Sequence, residues 1–250
     1  MAEGSSEESS GNNLRDFMQK DVESRRSYMW YGKDIKAENK KNTRALVNKV
    51  LSYEHSSPFV NMLMLAMANS GCAVNPDTHI AIEECYPNTN VLGAFDPSNN
   101  QIVLCQNQFA KLYTKRGRYL SMTYLLSHEL IHAFDHCRAK SDVYNNPTHL
   151  MCTEVRAAAL SGQCMLQYNK IDASLSGLRD YHKQCVRKYA LLSFRAMFPQ
   201  WIDSEASALL DKVFPSCYND HEPFDRMPLT IKQAELSYKA YQTRHRYSVK

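Results

Sequence analysis

His128-Glu129-Leu130-Ile131-His132 sets two imidazoles and a carboxylate inside an otherwise apolar stretch running from Leu125 to Phe134. On an α-helix, residues four apart are offset by about 40° of rotation and about 6 Å of rise. Both rings can therefore converge on one cation, at about 2.0–2.1 Å per zinc–nitrogen bond. Glu129 then stands beside the cation without ligating it. From there it could take a proton from a water that the metal activates, which is the chemistry of metal-assisted hydrolysis. The bland alternative is a core helix with two polar histidines, and it must meet the cost of burying those groups without partners.

A catalytic zinc takes three protein ligands and leaves one position open. His136 lies eight residues after His128, about 12 Å along an unbroken helix, too far to share the ion. Residues 128–138 hold no Gly or Pro to turn the chain as in the HExxHxxGxxH pattern. His149, beyond a loop, is one candidate. Glu154 is the better one: it lies in Cys152-Thr153-Glu154-Val155-Arg156-Ala157-Ala158-Ala159, on a second helix that a loop of about ten residues would return against the first. The small residues 157–159 would let the two helices pack closely. The expected set is thus His128, His132 and Glu154 on Zn2+, with Glu129 catalytic; a solvated helix face is the rival reading of Glu154.

Around this set, Asp135 could hold a ligand imidazole through its second nitrogen, or could be a surface aspartate. Arg156 could pair with Asp135 or contact substrate, and Cys137 is expected to pair or pack. The cluster Ser216 to Arg226 contains His221, which could polarise a scissile carbonyl; a surface turn built on Asp, Asn and Pro is the alternative.

The elements that must position these groups follow from the periodicity. Residues 1–13 are Gly, Ser, Asn and Glu-rich and read as a mobile tail. An amphipathic helix is expected over 14–31, and another carries Leu46, Val47, Val50 and Leu51 on one side. Ser57-Pro58 and Gly71 bracket an apolar helix over 58–70. Alternation over 79–83 and 101–105, with the turn signal Asp96-Pro97-Ser98-Asn99-Asn100, predicts a small β-sheet over 79–106 ending in a hairpin. Helices are expected near 118–137, 148–168, 174–197 and 203–213. The pattern is α+β, mostly helical with a small β-sheet before the active-site helix. The divisions are the tail, one metalloprotease domain over 14–228, and a polar basic segment over 229–250 read as a surface helix.

Composition bounds the rest. A chain of 250 residues with 44% hydrophobic and 22% charged residues can bury a sizeable core. Its net charge of +4 permits an acidic partner without indicating one, and direct nucleic-acid contact is not expected. Pro58 to Ala68 is too short to span a bilayer, which needs about 20 apolar residues. The N-terminus shows neither a secretory signal nor an Arg-rich presequence. The eight cysteines form no CxxC pair; they could be buried thiols or as many as four disulfides.

Three blocks, SHELIHAFDHCR, CTEVRAAALSGQC and CYNDHEPFDR, occur in this order between about Cys72 and Arg226. In them the chain resembles the mitochondrial inner-membrane metalloproteases that process and help assemble ATP synthase, whose animal members are also named Ku-autoantigen-binding proteins. The resemblance implies a compact zincin-like fold in the intermembrane space, peripheral to the inner membrane, imported without a cleaved presequence and folded by cysteine oxidation. It carries over His128 and His132 as zinc ligands, Glu129 as the catalytic group and Glu154 as third ligand. The implied partners are a polypeptide substrate, an ATP synthase membrane subunit, and the inner membrane surface. A substrate segment would lie along an edge strand, for which 101–106 is the first choice. Two rivals differ in class. An assembly chaperone would work without proteolysis and survive Glu129→Gln. A nuclear DNA-repair adaptor would keep its cysteines reduced.

Overall fold

The computed structural model describes residues 31–52, 57–87, 91–112, 114–165 and 175–244. The expected tail over 1–13 and most of the expected helix over 14–31 lie outside the described residues.

The chain is α+β and mostly helical, as its patterning implies. Helix α1 (Tyr31–Leu51) precedes α2 (Pro58–Asn69), and a short α3 (Pro76–His79) runs directly into β1 (Ile80–Glu83). Strands β2 (Gly93–Asp96) and β3 (Gln101–Cys105) follow, then α4 (Gln106–Ala110), α5 (Lys115–Ala139), α6 (Pro147–Leu160), α7 (Leu175–Met197), α8 (Asp203–Asn219) and α9 (Ile231–Thr243).

Capping chemistry sets most of the boundaries. Ser57 accepts a hydrogen bond from the Phe59 N–H at 3.3 Å, with Pro58 in the first turn of α2. Gly71, at φ +80°, ends that helix, and the Cys72 N–H donates back to the Met67 carbonyl at 2.9 Å. Asn146 caps α6 by accepting from Thr148 N–H at 3.0 Å and His149 N–H at 3.2 Å, ahead of Pro147. Thr114 does the same for α5, accepting from Gly117 N–H at 2.9 Å.

The hairpin forms where the turn signal lies. Asp96 accepts from Ser98 N–H at 2.9 Å and from Asn99 Nδ2 at 2.6 Å, so its carboxylate closes the β2–β3 turn. The sheet order is β1-β3-β2, with β1 parallel and β2 antiparallel to β3. Strand β3 is therefore central, which overturns the choice of 101–106 as a substrate edge. Its backbone groups already serve two neighbours. The outer side of β1 is covered in part by Arg44 of α1, which donates to Ile80 O at 2.7 Å and Pro76 O at 3.1 Å. Among the described residues the edge left is β2.

Helix α5 lies between the sheet and the other helices, touching α2, α6, β2 and β3. Its buried Met122, Leu126, Leu130, Ile131 and Phe134 join the core with Phe59, Met62 and Leu63 of α2. Each such side chain contributes about 1.5–3 kcal/mol on burial. Helices α7 and α8 pack on α6. The described part of the basic C-terminal segment is indeed helical: α9 packs on α2 and buries Ala234, Ser237 and Tyr241.

Two helical spans differ from expectation. The α6 helix stops at Leu160 rather than near 168, with Gly162 at φ +84° just beyond. The α8 helix continues through Pro215 to Asn219 rather than ending near 213. An interior proline costs about 3 kcal/mol, but the extension buries Phe214, Cys217 and Tyr218 and carries a disulfide. All eight cysteines are paired, as Cys72–Cys137, Cys85–Cys105, Cys152–Cys217 and Cys164–Cys185.

Candidate active site

Helix α5 runs unbroken through the histidine motif, so His128 and His132 stand one above the other. Their ring centroids are 4.8 Å apart at 74°. Helix α6 returns after the loop over 140–146 and brings Glu154 across from them, His128 Nε2 to Glu154 Oε2 at 3.3 Å and His132 Nε2 to Glu154 Oε1 at 3.5 Å. One ligand atom from each of the three lies within 4.8 Å of the others, a group that could hold a metal ion. Ala157, Ala158 and Ala159 are buried on α6, which packs against α5, α7 and α8.

The chemistry of these donors fits a cation. Glu154 Oε2 is buried, and the nitrogen facing it, His128 Nε2 at 3.3 Å, is poorly aligned to satisfy it. An acceptor left in that state is costly unless something positive completes it. Burial works to raise the Glu154 pKa, yet the charge of His132, the hydrogen bond and charge of His128, and a hydrogen bond from Ser193 together hold it below its ordinary value. For His128 burial works downward, but the Glu154 hydrogen bond and the charges of Glu129 and Glu154 outweigh it and raise the pKa.

Glu129 points elsewhere. It is buried, and that burial raises its carboxyl pKa; the nearby charges of His128 and His132 and a hydrogen bond from the Phe95 backbone pull the other way. Cys105 N–H donates to Leu92 O at 2.8 Å, so the ladder alternation turns the backbone of Gly93 and Phe95 away from β3 and toward the open edge. A Cβ on Gly93 would lie 2.6 Å from Val103 O and 3.2 Å from the Leu125 side chain. Glycine is what lets β2 lie so close to both the central strand and the histidine helix.

Behind the ligands is a buried polar network. Thr153 Oγ1 is 2.9 Å from His132 Nδ1 and donates to Asp135 Oδ2 at 3.1 Å. Asp135 does not reach the imidazole directly, as the sequence had suggested it could: Thr153 stands between them. Arg156 takes the first of its two expected roles, with Nε at 2.9 and 3.0 Å from the Asp135 oxygens; at 1% exposure it is out of a substrate's reach. Its other nitrogens bind Asp220 and, at 2.6 Å, the Glu222 carbonyl. Arg138 bridges Asp135, at 3.0 Å, to Asp220. Burial works to raise the Asp220 pKa, but the Arg138 hydrogen bond and the Arg156 and Arg138 charges hold it below the usual range. The Cys152–Cys217 disulfide ties α6 to α8.

Other candidates lie outside the ligand group. His136 sits one turn on, its ring 5.8 Å from that of Phe95. His149 Nδ1 accepts from Asp142 N–H at 3.2 Å at the start of α6. Cys137 is bonded to Cys72. His221 lies in the loop after α8, where burial and the Arg156 charge lower its pKa against the pull of Asp220. Sequence reasoning missed Thr153 and Ser193. Thr153 adjoins Glu154 and a hydroxyl there was visible, but the facing of α6 against α5 was not.

A sequence profile of the Peptidase M76 family matches residues 41–225. A human protein named mitochondrial inner membrane protease ATP23 homolog is 45% identical over 200 residues, covering 80% of this chain and 76% of the relative. A Xenopus laevis protein of the same name is 41% identical over 222 residues, covering 84% and 89%. The Schizosaccharomyces pombe mitochondrial inner membrane protease atp23 is 29% identical over 191 residues, covering 76% and 95%. No solved structure matches the chain. The family profile spans the HExxH helix, the Glu154 helix and the loop that Arg156 anchors, and on that ground the chain belongs to the Peptidase M76 family of metallopeptidases.

Proposed function

We propose that the chain is a zinc-dependent endopeptidase, with His128, His132 and Glu154 holding the ion and Glu129 acting as general base and then general acid. The observation that carries this reading is the convergence of three ligand atoms within 4.8 Å beside a buried carboxylate that is not one of them. Zinc bound there would polarise the scissile carbonyl and acidify the attacking water. Glu129 accepts the proton of that water and passes it to the leaving amine. Its burial-raised pKa suits both halves of the transfer, since a base poised nearer neutrality is also a competent acid.

Substrate binding follows from the sheet. An extended polypeptide pairs with β2 through the outward-facing backbone of Gly93 and the Phe95 carbonyl, where main-chain hydrogen bonds give affinity and side-chain pockets give specificity. The Phe95 N–H that now faces Glu129 lies at this edge, so the strand holds substrate and base in one frame.

The setting is proposed from the relatives. Proteins named mitochondrial inner membrane proteases share much of this chain, and the three sequence blocks resemble enzymes that process and assemble ATP synthase. We assign the chain to the intermembrane-space face of the inner membrane, peripherally attached, with an ATP synthase membrane subunit as its polypeptide partner. Among the described residues no helix is long and apolar enough to cross a membrane. Four disulfides accord with an oxidising compartment and count against a reduced nuclear adaptor.

The test is Glu129→Gln in purified, zinc-loaded protein. Peptide hydrolysis should fall by about 10²–10⁴-fold while bound zinc is unchanged. Hydrolysis at the wild-type rate would defeat the assignment of Glu129. Restored ATP synthase assembly by the same variant would show that assembly needs no cleavage.

A further inference from the structure

The two histidines of the motif are not held alike. His128 Nδ1 is buried with no hydrogen-bond partner among the described residues, whereas His132 Nδ1 has Thr153 Oγ1 at 2.9 Å. What Thr153 can do is fixed by what lies behind it. Asp135 accepts from Arg156 Nε at 2.9 and 3.0 Å and from Arg138 Nε at 3.0 Å, so its oxygens stand as acceptors in this network. The Thr153 hydroxyl must therefore spend its single proton on Asp135 Oδ2, 3.1 Å away. Its remaining lone pair faces His132 Nδ1, so that nitrogen carries the proton and donates. His132 Nε2 is then left with its lone pair toward Glu154 and the cation position.

We propose that Thr153 is a positioning residue, which fixes the ring orientation and the tautomer of His132 for metal binding by relaying the charge of Asp135. The anchor of this relay is distant in sequence. Arg156 and Arg138 are themselves held by Asp220, and Arg156 by the Glu222 carbonyl, so the loop after α8 sets the ligand through Asp135 and Thr153. Threonine is well suited to the place. Its hydroxyl both accepts and donates, and its β-branched side chain has few rotamers on a helix, so the bridge is held with little entropy to lose. Among the described residues His128 has no such support, and Glu154 faces its other nitrogen.

The inference rests on the zinc reading above, and the test separates the two. Zinc affinity is measured by chelator competition for the wild type, Thr153→Val and Thr153→Ser. Thr153→Val keeps the shape and removes the hydroxyl, and should bind zinc about 10–100-fold more weakly; Thr153→Ser restores the hydroxyl and should recover most of that loss. In zinc-loaded protein labelled with 15N-histidine, the His132 Nδ1–H should be protonated and slow to exchange in the wild type and fast in Thr153→Val. Wild-type affinity and slow exchange in Thr153→Val would overturn the positioning role alone. If that variant fails to fold, the wild-type spectrum decides, because a His132 protonated at Nε2 instead of Nδ1 contradicts the relay. A wild type that takes up no zinc at all would overturn the proposed function and the relay with it.

Discussion

The site has two sides, and they are held by different means. On the helical side Glu154, Thr153 and Arg156 come from one helix, cross-linked to α8 by Cys152–Cys217 and to α5 by the buried Asp135–Arg156 pair, whose side chains are 6% and 2% exposed. On the other side Glu129 meets a four-residue edge strand, β2, held by its ladder to β3 and by contact with α5. The helical side is built to keep three ligand atoms in one place. Among the described residues the sheet side leaves the outer edge of β2 unpaired, which is where the proposed substrate would join. Damage to the first should cost metal and stability together, and damage to the second should cost activity with the metal still bound.

Arg156→Leu is the most severe way to break the helical side. Removing one partner of a buried ion pair costs about 3–5 kcal/mol, and here it leaves Asp135 with the more exposed Arg138 as its remaining partner. Chemical denaturation should show that loss, and zinc affinity should fall with it because Asp135 backs Thr153. Unchanged stability would mean that the pair is not the keystone its burial suggests.

Gly93→Val sharpens the contrast from the sheet side. A Cβ there would meet Val103 O at 2.6 Å, so β2 must shift away from β3 and from Leu125. The expected cost is about 1–3 kcal/mol for overpacking. Peptide hydrolysis should drop while zinc binds normally. Loss of zinc in this variant would erase the distinction between the two sides.

What could be read from the sequence follows the same division. The histidine helix was legible because its chemistry repeats with the period of a helix, and Glu154 because a short loop constrains where a second helix can return. The hairpin was legible in Asp96 to Asn100, whose side chains do close that turn. Strand order is not legible there: alternation gives each strand its two faces but no neighbour, so the pattern offers 101–106 as an edge although β3 is the centre. The extension of α8 through Pro215 was hidden for a related reason. Local propensity argues against it, and the packing of Phe214, Cys217 and Tyr218 that overrides propensity is a tertiary fact. Thr153 was overlooked because a direct Asp135–histidine contact satisfies the same spacing on one helix. Only the facing of α6 against α5 puts a hydroxyl between them.

Metal content tests the central claim most directly. Purified wild-type protein, dialysed and analysed by inductively coupled plasma mass spectrometry, should hold stoichiometric zinc, and Glu154→Gln should retain little after the same dialysis. A wild type without stoichiometric metal, or a Glu154→Gln protein that keeps it undiminished, would contradict the account.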